Sequence, residues 1–145
     1  MLPDDIRIEK CEYVPCDFHS RFSAKSKEYR YYVKFDNYSP LQSRYCMYKE
    51  GLNLDKMREA IKLFLGTHNF KAFCSAEVDK RKDCTKTITN AQINVKGDFY
   101  EFVFEGTGFL KYQIRRMMSH IIAIGEGKSN NQIITQLFES GEKQM

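Results

Sequence analysis

Apolar residues in this chain repeat every second position in some stretches and every third or fourth in others, and that switch decides the fold class. Lys27 to Phe35 reads Lys-Glu-Tyr-Arg-Tyr-Tyr-Val-Lys-Phe, with Tyr29, Tyr31 and Val33 on one side and Arg30, Tyr32 and Lys34 on the other. Successive strand residues point to opposite faces, so a long strand is expected. Thr87 to Val95 and Phe99 to Phe104 flank Lys96-Gly97-Asp98, which predicts a hairpin whose Tyr100, Phe102 and Phe104 line one face. Shorter strands are expected from about residue 6 to 13, where Ile6 and Ile8 alternate with Arg7 and Glu9, and over Arg44 to Tyr48.

From Leu54 the period lengthens. Met57, Ala60, Ile61, Phe64 and Leu65 fall at i, i+3, i+4, i+7 and i+8, with Asp55 near the start and Gly66 past the end, as an amphipathic helix requires. Leu110, Ile114, Met117, Met118 and Ile121 make a second stripe ending at Gly125 or Gly127, and Asn131 to Glu139 a weaker third. Cys74 to Lys86 is polar without an apolar period and reads as an exposed loop. Together these imply an α+β fold, an antiparallel β-sheet with two main α-helices packed on one face. With 145 residues, positions 1–145 are expected to form a single domain.

Composition supports a real core: 42% of residues are hydrophobic, and eleven Phe and nine Tyr carry much of that bulk. No apolar run approaches the roughly 18 residues of a membrane span, and Met1-Leu-Pro-Asp-Asp lacks the plan of a signal peptide. The expectation is a cytoplasmic protein. The cysteines at 11, 16, 46, 74 and 84 are odd in number and never spaced CxxC, favouring reduced, partly buried thiols over a disulfide framework or a zinc site.

Charge is unevenly distributed although the net is only +4. Arg21, Lys25, Lys27, Arg30 and Lys34 face only Glu28 within residues 20–35, and Lys111, Arg115 and Arg116 face no acid within residues 106–125. Two basic segments among aromatics suggest an anionic partner, nucleic acid first; the alternative is a solvated charged face. Tyr29 and Tyr31, beside Lys27 and Arg30, have the character of base-stacking residues, although half-buried sheet tyrosines look the same. Lys111 and Arg115, four apart on a helix, could reach one phosphate together.

Other chemistry is poorly supported. No carboxylate pair can be named, and His19, His68 and His120 sit in no nucleophile motif. Asp17-Phe18-His19 reads as a loop hydrogen bond, and His68, just past a helix end, meets the helix dipole. Gly106-Thr107-Gly108 before a helix has the look of a phosphate cradle, but completes neither GxGxxG nor GxxxxGK[ST].

Longer stretches carry more information. Asp17-Phe18-His19-Ser20-Arg21-Phe22-Ser23-Ala24 leading into Tyr29-Arg30-Tyr31, then Gly66-Thr67-His68-Asn69-Phe70 with Phe73, then Gly106 to Leu110 through Ile114-Arg115 to Gly125-Glu126-Gly127-Lys128, resemble the tRNA pseudouridine synthase A (TruA) family. The motifs occur in order over nearly the whole chain. The resemblance implies a cofactor-free isomerase, usually a homodimer, that converts uridine to pseudouridine in the anticodon arm of tRNA. It also implies that Tyr29 stacks on the target base and assists its deprotonation, and that Arg115 pairs with a nucleophilic aspartate. That aspartate belongs to a motif like RTDAGVHA, which this sequence does not contain. The expectation is therefore a C-terminal domain without its catalytic partner, inactive alone and short of the family's last strand. Arg21, Lys25, Lys27, Arg30, Lys111 and Arg116 are the candidate RNA contacts. A noncatalytic RNA-binding module or a structural dimerisation domain of the same ancestry is the alternative. The family usually has Met at position 113 and Gly at 119, where this chain has Gln113 and Ser119, and Lys86 replaces a common Arg.

Overall fold

The computed structural model describes residues 2–75 and 83–141. Five strands, β1 (Lys27–Lys34), β2 (Met47–Tyr48), β3 (Gly66–Asn69), β4 (Thr85–Lys96) and β5 (Phe99–Gly106), form one sheet in the order β2-β1-β5-β4-β3. The helices are α1 (Leu54–Lys62), α2 (Gln113–Gly125) and α3 (Gln132–Ser140), with a 3₁₀ turn over Lys71–Phe73. The α+β expectation holds, with one refinement: β2 runs parallel to β1, and every other pairing is antiparallel.

The hairpin forms as its alternation predicts. Val33, Tyr31 and Tyr29 of β1 lie opposite Tyr100, Phe102 and Phe104 of β5, which in turn face Val95, Ile93 and Ala91 of β4. In β4 the apolar positions 88, 91 and 93 break the period of two, and a register shift between Ile88 and Asn90 absorbs the extra residue. That bulge keeps Ile88, Ala91 and Ile93 all buried.

Met57, Ala60 and Ile61 of α1 and Met117, Met118 and Ile121 of α2 press onto this face, in one core with Phe64, Phe70, Phe73, Phe102 and Phe104. The side chain of Asn53, two residues before Asp55, caps α1 by accepting the N–H of Lys56 at 3.0 Å. The helices approach so closely that a Cβ on Gly125 would lie 2.7 Å from Met57 Cγ. Gly127, at φ 74°, then takes the left-handed turn beyond the end of α2.

Three expectations need correction, and one strand was not expected. Residues 6–13 are not a strand: Ile6 and Ile8 are exposed, and alternation cannot make a strand without a neighbour to complete its ladder. Polar Gly66–Asn69 is a strand, because Thr85–Ile88 of β4 offers it a ladder. The expected exposed loop over Cys74 to Lys86 is exposed at Asp83 and Thr85 but buried at Cys74, Ser75 and Cys84, and from Thr85 it already belongs to β4, while residues 76–82 lie outside the described residues. Finally, α2 starts at Gln113 rather than near Leu110, because Tyr112 adopts φ 64°. Lys111 therefore precedes the helix and shares no helical face with Arg115.

All five cysteines are free: Cys74 and Cys84 are buried, Cys46 is half-buried, and Cys11 and Cys16 are exposed.

Candidate functional site

Beside β1, a cleft of about 530 Å³ opens between the helix-side face of the strand and the turn that leads into α2. Tyr29, Phe109, Tyr112 and Arg115 are among its lining residues. Two residues singled out far apart in the sequence, Tyr29 and Arg115, thus share one cavity. Tyr29 is 44% exposed and meets Phe109 edge-on, ring centroids 5.0 Å apart. An aromatic fixed by a second ring yet open on one side offers a flat face to a planar ligand.

The opposite wall is cationic. Lys111 Nζ and Arg115 Cζ lie 5.4 and 5.5 Å from the centroid of the Tyr112 ring. Although they share no helical face, the left-handed residue between strand and helix brings both cations to one ring. Arg115 also borders a second recess of about 240 Å³ with Tyr31, Lys49, Ser119 and Glu126. Lys49 lies 2.5 Å and Lys128 3.1 Å from the Glu126 carboxylate, and these two bonds hold it below the usual carboxylate range.

The other candidates disperse. Arg116 does not line the cleft; it is half-buried, and its charge adds to burial in lowering the His120 pKa. Arg30 borders the cleft, but its guanidinium bonds Glu28 at 2.7 Å and Glu101 at 3.4 Å. Lys27 starts β1 opposite Gly106, and Arg21 and Lys25 lie exposed in the segment before it, Arg21 5.7 Å from the Phe22 ring. His19 Nδ1 accepts the N–H groups of Arg21 and Phe22, so the local partner expected in Asp17 is instead the backbone. His68 does not meet the helix dipole as expected: it lies in β3, and its Nε2 is 2.7 Å from the carbonyl oxygen of Leu65, in the connection after α1 has ended at Lys62.

Gly106-Thr107-Gly108 is not a phosphate cradle on a helix N-terminus, since Gly106 closes β5 and α2 begins only at Gln113. Gly106 instead permits close approach of β4. Sequence reasoning missed Phe109 and Tyr112; reading a helix from Leu110 put Tyr112 on its flank, although it stands between the two cations in the sequence.

On the open face of the sheet Glu101 is almost wholly buried. Its carboxylate accepts from Lys96 at 2.8 Å, Asn94 at 3.1 Å and the Tyr32 hydroxyl at 3.1 Å. Lys96 first, then Asn94, hold its pKa down at about 2. Among the described residues no group of three potential ligands could hold a metal ion, and no helix is long and apolar enough to cross a membrane.

The family described as tRNA pseudouridine synthase matches residues 60–145. The chain belongs to the tRNA pseudouridine synthase family. It is 40% identical over 145 residues to a protein named tRNA pseudouridine synthase A from Geobacillus sp. (strain WCH70), covering 99% of this chain and 58% of that protein. The same name is carried by a relative from Oceanobacillus iheyensis, 38% identical over 99% of this chain and 58% of the relative. Another, from Exiguobacterium sp. (strain ATCC BAA-1283 / AT1b), is 38% identical over 100% of this chain and 58% of its own length. The chain thus spans under two thirds of the synthases it matches, and the cleft lies at a margin of its sheet, where β1 pairs with β2 only at Val33 and Lys34.

Proposed function

We propose that the full-length protein isomerises uridine to pseudouridine in the anticodon arm of tRNA, as a homodimer and without a cofactor. Residues 1–145 form a single C-terminal domain of it, which supplies Tyr29 and Arg115 to a cleft whose nucleophilic aspartate lies outside this chain. The observation that carries the reading is the meeting of Tyr29 and Arg115 in one cavity, in a chain of this family.

The reaction exchanges the N1–C1′ glycosidic bond for a C5–C1′ bond and releases the C5 proton. A carboxylate nucleophile must be ionised to attack, and a nearby guanidinium favours that state. Arg115 does this, while the Tyr29 ring stacks on the uracil and its hydroxyl assists departure of the C5 proton. Lys111 brings positive charge for phosphates at the cleft, and Arg21, Lys25, Lys27, Arg30 and Arg116 add to the basic character of the wider surface, Arg30 with its charge shared by Glu28 and Glu101.

Tritium release from tRNA carrying 5-tritiated uridine tests this. Full-length protein should release tritium and residues 1–145 alone should stay at background. Arg115→Ala should lower turnover on the order of 100-fold, far more than Arg116→Ala. Release by the isolated chain would mean that one of its own acids is the nucleophile, and equal effects at 115 and 116 would remove Arg115 from the site. Binding of tRNA by full-length protein with no release would leave a noncatalytic RNA-binding module.

A further inference from the structure

Among the described residues only Asn37 and Tyr112 are non-glycine residues with positive φ, at 52° and 64°. Asparagine visits the left-handed region readily, whereas a tyrosine there is strained. Three hydrogen bonds impose the strain. The buried Gln113 side chain accepts the Leu110 N–H at 2.8 Å, the Gln113 N–H donates to the Leu110 carbonyl at 3.1 Å, and the Ser75 N–H donates to the Lys111 carbonyl at 2.9 Å. A conformation so firmly enforced is a reason to ask what it achieves.

It sets an exposed ring in the cleft wall. Tyr112 is 47% exposed, and Lys111 and Arg115 lie over its ring. A flat aromatic face held by cations suits an unpaired nucleotide, whose base takes the cation's place on the ring while its phosphates meet the charges. We propose that Tyr112 is a second stacking platform, taking the unpaired base next to the uridine held at Tyr29. Lys111 and Arg115, which rest against the ring in the free protein, turn toward that nucleotide's phosphates as the base arrives. The inference rests on the synthase reading above and deepens it by giving the cleft two nucleotide subsites.

The test uses full-length protein and an anticodon stem-loop RNA with 2-aminopurine on either side of the target uridine. The described chain contains no Trp, which lowers the fluorescence background. Wild type and Tyr112→Phe should quench the probe at one flanking position. Tyr112→Asn keeps a residue that tolerates the left-handed backbone and removes the ring. It should abolish that quenching and raise KM and Kd about tenfold, within the range of one lost base stack, with the fall in kcat/KM residing in KM. Wild-type quenching and affinity in Tyr112→Asn, while wild type still releases tritium, would overturn the subsite and leave the synthase reading standing. A fall in kcat with Kd unchanged would also overturn it, making Tyr112 a prop for Arg115. Wild type that neither binds the stem-loop nor releases tritium would remove both.

Discussion

Replacing Gly106 by alanine should loosen the end of the sheet that shapes the cleft. A Cβ there would lie 2.4 Å from the Thr87 carbonyl oxygen, and 3.3 Å from both Ile88 Cα and Phe109 Cζ. The closest atom is backbone, so no change of rotamer relieves the overlap. The Thr87 carbonyl also accepts the Thr107 N–H at 3.1 Å, so moving it to admit the methyl weakens that bond. Gly106 itself does not have a positive φ, so the cost is steric rather than conformational. Overpacking typically costs about 1–3 kcal/mol and a lost hydrogen bond about 0.5–1.5 kcal/mol. Stiffening the unfolded chain returns roughly 0.4–1 kcal/mol. The expected net loss is about 0.5–4 kcal/mol, against a stability of roughly 5–15 kcal/mol. Gly108→Ala is the control, because its nearest neighbour would be Lys86 Cδ at 3.9 Å, an ordinary contact. Urea unfolding followed by far-ultraviolet circular dichroism should show a lower midpoint for Gly106→Ala at an unchanged m-value. Because Phe109 braces Tyr29, the turnover proposed for the full-length protein should fall too. A Gly106→Ala midpoint equal to wild type, or a matching loss in Gly108→Ala, would refute the close-approach argument.

Tyr29→Phe should keep tRNA affinity but lower turnover about 10²-fold or more if its hydroxyl moves a proton, whereas Tyr29→Ala should impair both; filter binding and tritium release separate the two. The Glu101 carboxyl, held near 2 against an ordinary 4.5, contributes stability that is full above pH 4.5 and lost as pH falls toward 2. Urea midpoints measured across that window should fall with acid in wild type and change much less in Glu101→Gln; parallel curves would mean that Glu101 is not the titrating group.

Legibility differed from element to element for physical reasons. The hairpin and the apolar stripes of α1 and α2 were readable because a buried face must repeat with the period of its backbone. The strand expected at residues 6–13 failed because alternation describes one chain, while a strand is a relation between two. Gly66–Asn69 is the converse, a polar segment made into a strand by Thr85–Ile88. Local charge likewise singled out more cations than the cleft leaves unpaired with acids: Arg116 does not line it and stands near His120, and Arg30 borders it but is tied to Glu28 and Glu101.

By itself the sequence determined the α+β class, most of the core-facing residues (Leu65, read into the apolar stripe, is exposed) and the family, since these rest on periodicity and ordered motifs within the chain. It also singled out Tyr29 and Arg115. Only the tertiary structure decided that these two line one cleft with Phe109 and Tyr112, that Lys111 and Arg115 converge on a single ring, and that Gly106 serves strand approach rather than anion binding. The reason is geometric: a reversal of φ at Tyr112 and a bulge beside Gly106 redirect side chains across the fold. The first is held by hydrogen bonds between Leu110 and Gln113 and from Ser75 to Lys111, which no apolar period announces, whereas the second shows in the sequence only as a broken alternation at positions 88, 91 and 93.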